Sequence, residues 1–352
     1  MLDDYSALRE FTESNLNQKG KLFSPRPAKW FVPRSNTGNT GADYYFAKNP
    51  EFGAVFTYHL ADDYKTQKQI RVSKEKKIKN SNIPFPGWDA LEEESREDGP
   101  SIMLVIKDKN GNVVNTIKGT NRKGFNRVNW RLNYPSKRGE RLQSSTRRGF
   151  NRGGGIMVTP GTYSVTLEKR VNGVHTTLQE PVNFEVVPLF DGTLPRKSNE
   201  VINNFREDVT AFQQDLTSTN ISLSRSLKTT NAMLRALNKA SRPTNELFKK
   251  LNSTKILLLT IDKELNGDSI KDEIGERSNP SASDGGSLGW TAFGNTYGPT
   301  DEHMRLLNRV KSQLKKVKNK LYPIVNSTLP SLRNELIKTG APWIEGQGLI
   351  ND

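Results

Sequence analysis

Val182-Asn-Phe-Glu-Val-Val187 sets apolar side chains at alternate positions, and a short way on Val201, Phe205, Val209, Phe212 and Leu216 recur at steps of three and four. The first spacing is the two-residue period of a strand, and the second follows the roughly 3.6-residue period of a helix. The change of period divides the chain into a β-rich part and a helical part, so an α+β protein is expected.

Working outward from Val182 toward the N-terminus, residues 51–190 read as β. Pro160-Gly-Thr-Tyr-Ser-Val-Thr-Leu167 puts Tyr163, Val165 and Leu167 on one face. Asn172-Gly173 is a hairpin turn signal, as is Asn110-Gly111 between Ser101-Ile-Met-Leu-Val-Ile-Lys107 and Val113-Val114. In Gly124-Phe-Asn-Arg-Val-Asn-Trp130 the side chains of Val128 and Trp130 share a face, and Phe125 can join them in a core only with a local irregularity. About seven short strands with turns between them predict a β-sandwich, and the segments 124–130 and 160–163 resemble Ig-like domains of the fibronectin III or hook-capping kind. Phe52-Gly-Ala-Val-Phe-Thr-Tyr-His-Leu60 is its first strand. Residues 62–98 interrupt it with a basic stretch (65–79) and an acidic one (89–98), a two-part helical insertion with partly self-cancelling charge. Residues 1–50 are rich in turn formers but carry Trp30, Phe31, Tyr44, Tyr45 and Phe46, and read as an extended strap lying on another surface.

Outward in the other direction, the helical stripe continues through Leu223, Leu227, Leu234 and Leu237 to a break at Arg242-Pro243-Thr244. Leu247, Leu251, Thr254, Leu258, Ile261 and Leu265 resume it as far as Asn266-Gly267-Asp268. A Gly/Ser-rich loop fills 266–300. A third helix starts after Thr300 with Leu307, Val310, Leu314, Val317, Leu321 and Ile324 inward, and Leu329, Leu332 and Leu336 beyond a kink at Pro323. Residues 196–340 are therefore expected to form an antiparallel three-helix bundle, with a tail at 341–352.

The chemistry available is limited. The chain has no cysteine, which excludes disulfides, thiol catalysis, cysteine zinc sites and iron–sulfur clusters. His59, His175 and His303 are far apart in sequence, and no phosphate-binding glycine loop, His-Glu-x-x-His helix or calcium loop is present. Gly285-Gly-Ser-Leu-Gly289 matches the nucleophile string, but it sits in a loop between helices and lacks the strand before it, so Ser287 reads as structural. Asp3-Asp4 and Asp62-Asp63 are adjacent acids whose side chains diverge. No catalytic residue, metal site or cofactor is expected within the chain.

Charge is the stronger signal. Lys and Arg number 53 against 38 Asp and Glu, a formal +15, so anionic partners come into question. Lys137, Arg138, Arg141, Arg147, Arg148 and Arg152 cluster against the single acid Glu140, with an Arg-Gly-Gly flavour at 147–154. Lys311, Lys315 and Lys318 line one face of the third helix. These nine are the candidate contacts for a polyanion such as an anionic glycan or a polynucleotide, and their plain alternative is solvated loop and helix surface. Asp268-Ser269-Ile270 resembles the Asp-Ser/Thr-apolar tripeptide of bacterial O-glycosylation, which makes Ser269 the candidate modification site.

Several segments, taken in order, resemble the C-terminal region of bacterial sortilin-like proteins. These are large secreted BNR-repeat β-propellers of the vacuolar-sorting-receptor type, often labelled glycosyl hydrolases. The resemblance rests on Leu2-Asp-Asp-Tyr-Ser-Ala-Leu-Arg-Glu10, Asn49-Pro-Glu-Phe-Gly-Ala54, Pro84-Phe-Pro-Gly-Trp-Asp89, Lys123-Gly-Phe-Asn-Arg-Val-Asn-Trp130, Pro160-Gly-Thr-Tyr163 and Gly340-Ala-Pro-Trp343. The Gly-Phe-x-x-Val-x-Trp and Pro-Gly-Thr-Tyr pieces are also similar to the Ig-like domain of flagellar hook-capping proteins. The resemblance implies a non-catalytic accessory region that supports or pairs with a propeller, in the same protein or as a separate subunit. Residues 1–50 would be the remnant of the propeller's end. Any glycosidase site would lie in the absent propeller, which leaves two rivals: a glycoside hydrolase fragment and a free-standing basic module for polyanions. Met1 to Glu10 shows no signal peptide, which alone predicts a cytoplasmic protein. With the resemblance, an extracytoplasmic protein whose natural beginning lies upstream of Met1 is expected instead.

Overall fold

The computed structural model describes residues 4–33, 49–78, 82–137, 139, 142, 154–276 and 280–348. With 45% helix and 22% strand it is a mixed α+β chain. It divides into two compact units, Met1–Ser136 with Arg148–Pro195, and Lys137–Arg147 with Arg196–Asp352. Among the described residues no helix is long and apolar enough to cross a membrane.

The first unit begins with two short helices, α1 (Ser6–Glu10) and α2 (Glu13–Leu16), and strands β1 (Gly20–Leu22), β2 (Ala28–Trp30) and β3 (Ala54–Leu60). Helices α3 (Gln67–Glu75) and α4 (Trp88–Arg96) follow, then β4 (Ser101–Asp108), β5 (Val113–Gly119), β6 (Gly124–Trp130), β7 (Asn133–Pro135), β8 (Gly154–Met157), β9 (Gly161–Val171) and β10 (Val174–Pro188). One sheet runs β1-β3-β6 and a second β2-β10-β9-β4-β5, with β7 and β8 paired separately. All pairings are antiparallel except β2 with β10. At the β9–β10 turn Asn172 and Gly173 both have positive φ, 48° and 78°, the geometry that Asn-Gly supplies at little cost.

Both sheets contribute to one core. Phe56, Tyr58 and Trp130 come from the smaller sheet, and Leu104, Tyr163, Leu167 and Phe184 from the larger. The Trp130 ring meets Tyr163 and Phe184 edge-on, at 5.7 and 6.1 Å between centroids. Among the described residues the four buried tryptophans and tyrosines of this core each find a carbonyl. Trp130 Nε1 donates to Asn133 O (2.9 Å), Trp30 Nε1 to Val158 O (2.7 Å), Tyr58 Oη to Thr120 O (2.6 Å) and Tyr163 Oη to Thr159 O (2.6 Å). Burial pushes the Tyr58 phenol up to about 12.

One expectation meets a different structure here, and a second is resolved. Where residues 1–50 read as a strap, β1 pairs with β3 and β2 with β10, and Leu22 and Trp30 enter the core. Gly20-Lys-Leu22 and Ala28-Lys-Trp30 do alternate inward and outward, over too few residues to be seen beside Pro25 and Pro27. Tyr44, Tyr45 and Phe46 lie outside the described residues. Phe125 needs no irregularity. The β3–β6 register is unbroken from Ala54↔Trp130 to Leu60↔Gly124, and Phe125 faces away from the shared core onto Phe11, Phe23 and His59.

The second unit holds α5 (Asn199–Leu237), α6 (Asn245–Asn266), α7 (Ser269–Glu273), a 3-10 turn (Ala282–Ser287), α8 (Leu288–Thr291), α9 (Asp301–Pro323), a π-helical turn (Ile324–Thr328) and α10 (Leu329–Lys338). Ser198, Thr244 and Thr300 cap the three long helices, each hydroxyl accepting from the N–H three residues on. Those helices, α5, α6 and α9, pack on one another pairwise, and α10 packs on α5 and α6. Met233, Leu237, Leu247, Leu251, Leu332 and Leu336 form a core where α5, α6 and α10 meet.

Gly53 is a stringent test of the smaller sheet. Its φ is +127°, and a Cβ there would lie 2.0 Å from the Trp130 carbonyl oxygen. Gly87, with φ +92°, has open space around it. Gly53→Ala is expected to cost roughly 2 kcal/mol or more and Gly87→Ala about 1 kcal/mol. Denaturant unfolding of the two variants checks the order.

Candidate interaction site

The helices inserted between β3 and β4 carry the chemistry that the core does not use. Thr66 starts α3 with a reciprocal cap: Gln69 N donates to Thr66 Oγ1 and Thr66 N to Gln69 Oε1, both at 3.1 Å. Gln67 N donates to the Glu97 carboxylate at 2.7 Å, which ties the end of α4 to the start of α3. The Arg71 guanidinium then grips Glu94 with two bonds, Nε to Oε1 at 2.8 Å and Nη2 to Oε2 at 2.9 Å, and Glu75 with a third at 2.7 Å. These bonds raise the Arg71 pKa above its ordinary value and hold the Glu94 carboxyl below the usual range.

Neither α3 nor α4 has a buried residue. Ile70 on α3 and Trp88 at the start of α4 are exposed, as are Ile78 just past α3 and Ile83 and Phe85 just before α4; the Phe85 and Trp88 rings lie edge-on 5.0 Å apart and are 61% and 78% exposed. Large apolar side chains gathered this way on a surface are unusual without a partner.

Another side of α3 is cationic. Lys68, Gln69, Val72, Ser73 and Lys76 form one wall of an open cleft of about 450 Å³. Asp63, Tyr64, Lys65, Asn121 and Arg122 form the other. That second wall is braced, since Tyr64 N donates to Asn121 O (3.0 Å) and Asn121 Nδ2 to Tyr64 O (2.7 Å). Asp63 accepts from Lys123 N at 2.7 Å and pairs with Lys65 at 2.8 Å, and these contacts keep its carboxyl below the usual range. Lys68, Lys76 and Arg122 make no ion pair among the described residues.

The residues singled out from sequence are dispersed. Lys311 pairs with Asp208 and Lys318 with Asp215, both at 2.7 Å and both across to α5. Lys315 alone of that stripe has no ion pair among the described residues. Lys137 is exposed, while Arg138, Arg141, Arg147, Arg148 and Arg152 lie outside the described residues. Ser269 is exposed at the first position of α7. The neighbouring Asp268 is buried, its carboxylate held by Lys263 at 2.6 Å and by the Ile270 N–H. Ser287 is exposed and donates to Asp284 O, and two glycines of its string, Gly285 and Gly289, serve packing. A Cβ on Gly285 would meet the Phe212 ring at 2.5 Å, and one on Gly289 the Gln213 amide at 2.7 Å. Of the adjacent acids, Asp4 is engaged by the Ser6 N–H and by Arg26 at 3.1 Å. Among the described residues no three His, Asp or Glu gather as metal ligands would.

The three histidines do different things. His303 takes part in the cap of α9 and His175 lies 3.2 Å from Glu168. His59 is 4% exposed, ringed by Phe11 and Phe125 at 5.3 Å, and its Nδ1 is buried with no hydrogen-bond partner.

No protein-family model, curated protein or solved structure matches this chain. The site therefore rests on its geometry. The basic stretch at 65–79 was visible in the sequence, but its i, i+4, i+8 row of Lys68, Val72 and Lys76 was hidden by the apparent charge balance with 89–98. Phe85 and Trp88 belong to the 84–89 segment, and their exposure is visible only in the structure.

Burial, with Lys123 adding to it, lowers the His59 pKa below 6.5. The unfolded chain therefore binds a proton that the folded chain resists. Stability is expected to hold above about pH 6.5 and to fall as the pH drops below it toward the folded-state value. Thermal unfolding across pH 4–8, on the order of these limits, measures the slope, which should flatten in His59→Phe; an unchanged slope would remove His59 as its cause.

Proposed function

We propose that this chain is a non-catalytic interaction region, an Ig-like β-sandwich followed by an antiparallel three-helix bundle, that pairs with a sortilin-like β-propeller outside the cytoplasm. The observation that carries the docking role is the exposed Phe85–Trp88 pair where α4 begins, with Ile70 on α3 and Ile78 and Ile83 in the segment between the helices also exposed. Aromatic residues of this kind are the usual anchors of protein interfaces, where a partner pocket desolvates them. The sandwich reading is supported by two sheets sharing one core, with a tyrosine whose hydroxyl returns to the backbone four residues upstream, Tyr163 to Thr159. The bundle reading is supported by three long helices in mutual contact with one another. The propeller as partner comes from the resemblance. It places one of the docking motifs, Pro84-Phe-Pro-Gly-Trp-Asp89, among the segments shared with proteins whose C-terminal region accompanies a propeller.

The test is a binding titration of the chain against a purified BNR-repeat propeller of the sortilin-like type. Wild type should bind, and the double variant Phe85→Ser/Trp88→Ser should bind about tenfold or more weakly at unchanged circular dichroism. Equal binding by the two chains, or none by wild type, would overturn the pairing.

A further inference from the structure

We propose that the cationic cleft along α3 binds an extended acidic peptide, with two carboxylates placed on either side of an apolar residue in the pattern acid-x-apolar-x-acid. The geometry of α3 sets the pattern. Lys68, Val72 and Lys76 stand at i, i+4 and i+8 on one face, all lining the cleft. Each step of four residues advances about 6 Å along a helix axis. In an extended peptide, side chains on one face repeat every second residue, about 6.6 Å apart. The two rows match over three contacts. A carboxylate meets Lys68, an apolar side chain covers Val72, and a second carboxylate meets Lys76.

The composition of the cleft favours carboxylates on a peptide over the other polyanions. Binding of single-stranded nucleic acid draws on open aromatic faces for base stacking. Tyr64, the one aromatic in the cleft's lining, has Lys169 Nζ over its ring at 5.1 Å and donates its hydroxyl to Lys19 O at 3.4 Å. A phosphate site at a helix start uses backbone N–H groups. At the start of α3 those of Gln67 and Gln69 are already taken by Glu97 and Thr66. What remains available are ammonium groups, which act as point charges and accept a carboxylate from many directions. Arg122 on the opposite wall adds a third cation, and Asp63 is neutralised by Lys65. The cleft is an open trough, which suits an extended chain better than an enclosed small molecule. Ile70 lies on the far side of α3 from Lys68 and Val72 at this helical spacing, so the peptide cleft is separate from the apolar docking face.

The experiment uses the full chain and a fluorescein-labelled peptide, Ser-Glu-Ser-Leu-Ser-Glu-Ser, in a fluorescence anisotropy titration at low ionic strength. A peptide of the same composition with its two glutamates adjacent serves as the control, and oligo(dT) and heparin as competing probes. The patterned peptide should bind wild type. Both the adjacent-glutamate control on wild type and the patterned peptide on Lys68→Ala/Lys76→Ala should bind about fivefold or more weakly. Val72→Ser should weaken only peptides that carry the leucine. The substituted lysines are exposed, so circular dichroism should be unchanged. No binding of the patterned peptide, equal binding of the adjacent-glutamate control, or full affinity in the double variant each overturns the proposal. So does the case in which oligo(dT) or heparin binds, loses affinity in the same double variant, and the peptide does not bind.

Discussion

Arg71 holds together two helices that have no core between them. Short helices ordinarily persist in a protein because one face is buried, yet neither α3 nor α4 holds a fully buried residue. The two-pronged contact from Arg71 to Glu94, with Glu75 on the third donor, supplies the constraint in place of packing. Its geometry is the planar fork on a carboxylate that makes an ion pair directional, and Glu94 is 8% exposed, so water screens it less than a surface pair. The functional proposals use side chains on and beside this helix pair: Lys68, Val72 and Lys76 line the cleft, and Ile70, Phe85 and Trp88 are exposed.

The helical unit was legible where its inward positions are apolar. On α6 the buried side chains are Leu247, Leu251, Thr254, Leu258, Ile261 and Leu265, and on α9 they are Leu307, Val310, Leu314, Val317 and Leu321, as the sequence spacing predicts. On α5 the spacing misleads. The buried row steps by three and four without a break from Ile202 through Phe205, Val209, Phe212, Leu216, Thr219, Leu223, Ser226, Thr230 and Met233 to Leu237. Val201, Leu227 and Leu234 stand beside that row. The reading went astray because Thr219, Ser226 and Thr230 look like surface residues. Each returns its hydroxyl to the carbonyl four residues back, at 2.7–2.8 Å, and so enters the seam with its polar atom satisfied. A seam that keeps a seven-residue repeat over this length belongs to gently supercoiled helices. Pro323 was legible as an interruption, but its consequence was not. The inward row jumps five residues, from Ile324 to Leu329, and the π-helical turn between them absorbs the extra residue. Leu332 and Leu336 thereby come back onto the core.

In the β unit, turn chemistry was the dependable signal and strand length the limit. Asn110-Gly111 and Asn172-Gly173 mark hairpins that the structure contains, with β4 paired to β5 and β9 to β10. β1 and β2 have three residues each, too few for a period to show, and they join sheets whose other strands are distant in sequence. Phe125 illustrates a different limit. A strand has two faces, and Phe125 belongs to the one away from the main core. There Phe11 and Phe23, from the N-terminal segment, meet Phe125 and His59 over β3 and β6.

Charge was the least legible property, because sequence gives the sign of a residue and pairing depends on the face it occupies. The lysines of α9 looked available, since their own helix carries no acid nearby; Asp208 and Asp215 reach two of them from α5, more than ninety residues away in sequence. The lysines of 65–79 looked cancelled by the acids of 89–98. Three of those acids have nearer partners. Glu94 takes the Arg71 fork and feels Lys68 only at longer range, Glu97 takes the Gln67 N–H, and Glu92 pairs with Arg96 on its own helix. At physiological salt an exposed charge is screened within about 8 Å, so an acid on a different face of the hairpin does little for a lysine in the cleft. Balanced composition thus coexists with an unbalanced surface. The cations free to meet a ligand are those whose counter-charges the fold has already engaged, and that selection is made by the facing of α3, not by the count of charges along it.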